Sequence, residues 1–419
     1  MRANRREFLL TLGAAASPLA TRIVFAATGG AARLVVVILR GALDGLAAVP
    51  PYGDPHYASL RRELAIASPG VADGALRLDA TFGLHPRLSF LHESFAAGQL
   101  IVFHAVATPY RERSHFDGQD VLENGTVRPH ALASGWMNRA LDALPRSAIA
   151  SHRQLGVALG QNVPLLMRGP ASVASWSPSR LAPLDEDTLQ RLGDLYAGDP
   201  VLSRRLADAL AADSVATEGM RATTTAPAVS GDPPPGAGSA NTARTAGAAR
   251  FNEIVAAAAG FLRDDAGPRV AVFDTTGWDT HANEGGAQGQ LGARLGVLDE
   301  ALRTLKDRLG PAWRNTAVLA ATEFGRTAAV NGTRGTDHGT ATAAFLLGGA
   351  VRGGRVIADW PGLSQRALYQ QRDLAPTMDL RAVLKGLLRD HLGISARALS
   401  DTVFPQSASV RPLADLTRA

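Results

Sequence analysis

Apolar residues gather in five short runs separated by longer stretches of mixed polarity: RLVVVIL (33–39), LIVFHAVA (100–107), PRVAVFDT (268–275), TAVLAATEF (316–324) and AAFLLGGAV (343–351). Continuous runs, as opposed to alternating ones, predict strands covered on both faces, as in a parallel sheet. Between the third and fourth run, QLGARLGVLDEALRTLKDRLG (290–310) repeats leucine at 291, 295, 298, 302 and 305, and Gly310-Pro311 supplies a stop, so a helix is expected there. HPRLSFLHESFAAG (85–98) reads as another helix before the second strand. Strand, helix and strand in this order make β-α-β units, and the expected fold class is α/β, a central mainly parallel sheet with helices on both faces.

Composition alters this picture in two places. Residues 217–248 are rich in Pro, Gly, Ala and Thr and lack aromatic residues, which predicts a flexible insertion in a single domain spanning 27–419. The first 26 residues combine Arg2, Arg5 and Arg6 with an apolar stretch from Phe8 to Ala16 and the small-x-small Val24-Phe25-Ala26, an export signal. The Arg5-Arg6 pair resembles a twin-arginine leader, which implies the twin-arginine translocase as a partner and a periplasmic or secreted location. No other apolar run approaches the roughly 20 residues that cross a bilayer, so no integral membrane segment is expected in the mature chain.

Formal net charge is +5; the leader holds four arginines and one glutamate, so its removal leaves +2, with no basic cluster longer than a pair. A nucleic-acid partner is not expected. Cysteine is absent, so any metal is held by oxygen and imidazole nitrogen.

In parallel α/β sheets ligands sit beyond the carboxyl ends of the strands. The residues expected there are Arg40 and Asp44, then YRERSHFDGQD (110–120), then GWDTHANEGG (277–286), then Glu323 and Thr336-Asp337-His338-Gly339. Asp279 and His281 are two apart, so an extended backbone aims both at one cation. Asp337 and His338, in a glycine-flanked loop, can serve two neighbouring cations, or one cation and its surroundings. A two-metal site needs several carboxylates, which Asp44, Asp279, Glu323 and Asp337 can supply. Locally, Asp44 also fits a turn before Gly45, and Glu323 an ion pair with Arg326. Ser114 either caps a helix or attacks an anionic ester at that helix's N-terminus. With it, His115 and Arg113 form the expected catalytic group, and Arg40, Arg326 and Asp117 the expected substrate-binding group. The glycines near Arg326 and Arg334 lack the Gly-Lys-Ser/Thr word of a nucleotide loop.

The words LRGALDGLAAVPPYGDPHY (39–57), FGLHP (82–86), YRERSHFDGQDVLENG (110–125), GWDTHANEG (277–285), TEFGRT (322–327), GTDHGTATAAFLLGGAVRGGRV (335–356), DWPGL (359–363) and RDLAPTMDLRAVLKGLL (372–388) together resemble the domain of unknown function 1501 family, in the alkaline-phosphatase and sulfatase-like superfamily. The resemblance implies an alkaline-phosphatase-like three-layer sandwich carrying one or two divalent ions (Zn, Mn, Mg or Ca). By position it implies Asp44, Asp279, His281, Glu323, Asp337 and His338 as their ligands. The sulfatase word Cys-x-Pro-x-Arg and the phosphatase serine word are both missing. The expected function is an exported metal-dependent hydrolase or transferase of phosphate or sulfate esters, with a small anionic ester or glycan as ligand. The alternative is a non-catalytic envelope protein of the same fold that binds a glycan or protein partner.

Overall fold

The computed structural model describes residues 32–144, 155–179, 186–221, 239–264 and 267–418; residues 1–26, expected to form a leader, lie outside them. Its strands are β1 (Arg33–Arg40), β2 (Leu76–Arg77), β3 (Gly83–Leu84), β4 (Leu100–Ala107), β5 (Gly156–Leu159), β6 (Val173–Trp176), β7 (Val270–Thr276), β8 (Thr316–Ala321), β9 (Thr342–Leu347), β10 (Arg355–Ile357) and β11 (Met378–Asp379). Nine form one sheet in the order β10-β4-β9-β8-β1-β7-β5-β6, with β11 beside β4, while β2 and β3 form a small hairpin. Each of the five apolar runs contains a strand of the large sheet.

β1 lies in the middle, in parallel register with β7 through Leu34 and Val270 and with β8 through Val35 and Val318. Its side chains divide by parity. Val35, Val37 and Leu39 pack with Phe261, Leu295 and Leu305 on one face, while Leu34, Val36 and Ile38 pack with Leu141, Leu384 and Phe404 on the other. Neither face of β1 meets solvent, so helices cover the sheet on both sides and three layers result. Each such side chain contributes about 1.5–3 kcal/mol through burial.

The expected amphipathic helix forms over Gln290–Leu309, with all five leucines buried and Gly310 at its end at φ 52°. The stretch 217–248, expected to be a flexible insertion, is helical at both ends. Helices Pro200–Arg221 and Ser239–Arg263 extend into it, and 222–238 lie outside the described residues. Ala212 and Ala216 of the first helix share a core with Phe251, Val255 and Ala258 of the second. Abundant alanine carries high helix propensity, a signal the Pro and Gly of the central part obscure.

One strand opposes the rest. β9 is antiparallel to both β4 and β8, whereas every other pairing of the large sheet is parallel. Its first residue therefore sits at the edge where its neighbours end. Residues preceding β9 arrive where those following β4, β7 and β8 leave. Among the described residues no helix is long and apolar enough to cross a membrane.

Candidate metal centre

Three segments meet at that edge: the loop after β4, the loop after β7, and the connection from β8 to β9. The last doubles back on itself. Arg326 and His338 pair as an antiparallel bridge, Thr327 N–H donates to the Asp337 carbonyl at 2.9 Å, and Gly339 N–H donates to that of Gly325 at 2.7 Å. The doubled segment is then laced to the β7 loop, since Thr336 N–H donates to Thr280 O at 3.1 Å and Asn283 N–H to Thr333 O at 3.0 Å. Two glycines permit the fit. A Cβ on Gly335 would stand 2.4 Å from the His281 carbonyl, and one on Gly339 would stand 2.3 Å from the Arg326 carbonyl oxygen.

Three imidazoles face one carboxylate. His115 Nε2 lies 3.3 Å from Asp279 Oδ2, while His281 Nε2 at 3.0 Å and His338 Nε2 at 3.2 Å approach Asp279 Oδ1. His281 Nε2 and His338 Nε2 are 3.0 Å apart. His115, Asp279 and His338 each offer a ligand atom within 4.8 Å of the others, a group able to hold a metal ion. The far nitrogens are all anchored. His115 Nδ1 lies 2.8 Å from Glu323 Oε1, His338 Nδ1 2.9 Å from the Arg113 carbonyl, and His281 Nδ1 3.3 Å from Asp337 Oδ1. Carboxylate and carbonyl oxygens only accept, so each Nδ1 carries a hydrogen, and in the neutral form of each ring the Nε2 lone pair turns toward Asp279. Among the described residues, buried His115 Nε2 makes no well-formed hydrogen bond. Lone pairs aimed at a carboxylate repel it, and a cation between them removes the repulsion.

Electrostatics keep the centre anionic. Burial is the largest single influence on the Asp279 carboxyl and raises it, but the hydrogen bond and charge of Arg326, with the nearby His281 and His115, together hold the group below its ordinary value. Glu323 is fully buried, yet hydrogen bonds from His115, Gln119 and Thr322 bring its carboxyl down against the burial. Asn331 does the same for Asp337. The bond to Glu323 raises His115, while burial lowers His338.

The residues expected as metal ligands therefore separate into groups. Asp279, His281 and His338 converge on one point. Glu323 and Asp337 stand behind histidines: Glu323 is occupied by His115, Gln119, the Gly41 N–H and Thr322, and Asp337 by His281 and Asn331. Asp44 is not brought to this cluster. Its Oδ1 caps the helix Gly45–Ala48 through Leu46 N–H and Ala47 N–H, and its Oδ2 pairs with buried Arg61, so the turn reading of Asp44 describes its local role. His115, expected in the catalytic group, supplies a ligand atom.

The other assignments shift in the same way. Arg326, expected to bind substrate, is 2% exposed and occupied by Asp279 and Thr336, so it positions the carboxylate. Arg113 pairs with Asp373 at 2.7 Å, and its left-handed φ of 62° turns its carbonyl toward His338. Arg40 is held by Glu123 at 2.7 Å and by Asp274. Asp117 lies beside Tyr110 and His130, at 3.4 Å from each. Ser114 occupies the N-cap of helix His115–Asn124 without a capping bond from its side chain, leaving the hydroxyl next to the centre's first histidine.

Glu323→Gln should weaken metal affinity by about tenfold to a hundredfold, because the His115 ring loses an anionic partner that makes it a better donor. Metal titration of the variant against a competing chelator measures this.

The family model described as "Protein of unknown function (DUF1501)" matches residues 31–403. The chain belongs to this family. The curated proteins give no match. A solved structure, described as "Crystal structure of Ps i-CgsB in complex with k-i-k-neocarrahexaose", is similar at TM-score 0.37 and 9% identity, covering 91% of this chain and 77% of that one. So low a TM-score carries no argument about this family member.

Proposed function

We propose that the protein is a metal-dependent hydrolase or transferase of phosphate or sulfate esters, related to the alkaline-phosphatase and sulfatase-like enzymes. The observation that carries this is the set of Nε2 lone pairs around Asp279, each fixed by an anchored Nδ1. Donor separations of 3.0–3.3 Å suit one ion. The edge of a tetrahedron built on zinc–nitrogen distances of about 2.0–2.1 Å is roughly 3.3 Å. A donor set rich in imidazole favours zinc or a similar transition ion over magnesium or calcium, which prefer all-oxygen surroundings. Such an ion supplies Lewis-acid polarisation of the ester's phosphoryl or sulfuryl oxygen.

The chain's own residues do the rest. Arg326 fixes Asp279, Glu323 orients His115, and the Arg113 carbonyl orients His338. Ser114, its hydroxyl free of a capping bond, is the nucleophile of this reading, at a helix N-terminus that favours an anionic group. Purified protein should contain bound metal and turn over an aryl phosphate monoester, diester or sulfate. Chelator should abolish turnover, readded zinc should restore it, and Ser114→Ala should lower it by at least about 10³-fold while retaining the metal. Metal-free protein with no metal-restored turnover of any of the three esters ends this reading. Export through the twin-arginine route belongs to the same proposal, and replacing both Arg5 and Arg6 by Lys should leave the protein in the cytoplasm.

A further inference from the structure

We infer that the cleft beside the metal centre is an oligosaccharide subsite, so that the ester acted on is carried by a sugar chain; this rests on the ester-hydrolase reading above. The cleft has a volume of about 810 Å³, and Arg40 from the end of β1, Thr276 from the end of β7 and Gln161 from just beyond β5 place it on the edge of the sheet that bears the metal cluster. One side chain joins the two sites. Gln119, one helical turn beyond His115 and on the same face, lines the cleft and donates to Glu323 Oε1 at 3.1 Å.

The lining selects a ligand class. Phe116, which follows His115, lines the cleft with 87% of its surface exposed among the described residues. A pyranose ring has an apolar C–H face that fits such a surface and a rim of hydroxyls that both donate and accept. Gln161 and Asn162 carry amides that do the same. The lining holds three arginines and three carboxylates, and the charge of Arg40 is already met by Glu123 and Asp274. A balanced, hydroxyl-matching cleft of this size suits several sugar units, whereas a trap for a small polyanion needs unmatched cations.

A panel of neutral, sulfated and phosphorylated oligosaccharides, from disaccharide to octasaccharide, tests this by direct binding to the metal-loaded protein, to Phe116→Ala and to Asn162→Ala. The wild type should bind at least one series with affinity rising with length. Phe116→Ala should weaken that binding about tenfold at unchanged metal content and unfolding midpoint. No binding to any member, or equal binding by wild type and both variants, overturns the inference. Metal-dependent turnover of aryl esters without glycan binding removes the subsite and leaves the ester reading standing. Phe116-dependent glycan binding without ester turnover does the reverse.

Discussion

Replacing Asp279 by asparagine should empty the proposed metal centre, lowering affinity by more than about 100-fold and, on the ester-hydrolase proposal, taking turnover below detection. Asp279 is the residue all three Nε2 atoms face, and His281 and His338 approach the same oxygen of it. Neutralising it removes the anion that offsets a cation's charge. Loss of an outer-sphere partner alone costs tenfold to a hundredfold, so loss of the shared carboxylate costs more. Asparagine keeps the volume and leaves an oxygen for Arg326, which is buried and would otherwise lose its main partner. Elemental analysis after dialysis reads the outcome, and wild-type metal content in Asp279→Asn would exclude this residue as a ligand. A cooperative thermal transition in the variant separates loss of metal from loss of fold.

The second large effect is on stability. Arg61→Met should destabilise the protein by about 3–5 kcal/mol, a large part of the 5–15 kcal/mol typical of a folded domain. Arg61 is fully buried, paired with Asp44 and 3.3 Å from Glu284 Oε1, and both carboxyls are buried with it. One guanidinium compensates only one of two carboxyls. Burial, followed by the proximity of Asp44, pushes the Glu284 carboxyl up to about 8 from its ordinary 4.5, with Arg61 acting against both. In the folded protein Glu284 therefore holds its proton across a range in which the unfolded chain has released it. Its contribution is complete below pH 4.5 and lost as pH rises through 8, so the stability of the wild type should fall over that window. Glu284→Gln, neutral at every pH, should remove that part of the slope; denaturant unfolding of wild type and variant at several pH values compares them. An unchanged slope in the variant would show that Glu284 is ionised in the folded state.

These two sites differ in how far the sequence announced them. Strand β1 is readable from RLVVVIL because a strand buried on both faces has no polar alternation, and the helix Gln290–Leu309 because its leucines keep the helical period. The pair Asp279 and His281 is legible from spacing, and His338 from its glycine-flanked loop. What spacing cannot convey is direction. The residues before β9 reach the ligand edge only because that strand runs opposite to its neighbours, and nothing in AAFLLGGAV distinguishes the two directions. His115 is adjacent to Ser114 in a word that reads equally well as a cap or a nucleophile, and that it offers a ligand atom emerges only from the distance to Asp279. Arg61 carries no local signal at all in SLRRELA, since its partners lie 17 and 223 residues away. Asp44 was visible as an acidic residue after a strand, but which cation claims it depends on that distant arginine.

The antiparallel entry of β9 also governs when the centre can exist. Arg113 and His338 are 225 residues apart, and the β7 loop comes between them in the chain. A nascent chain that has delivered His115 and Asp279 still lacks His338 until β9 is in place between β4 and β8. On the proposed function, metal loading would be a check on completeness: a truncated or half-threaded chain holds only part of the donor set, and a bound ion would tie three distant parts of the sheet into one unit, adding about 4 kcal/mol at a thousandfold excess over its dissociation constant.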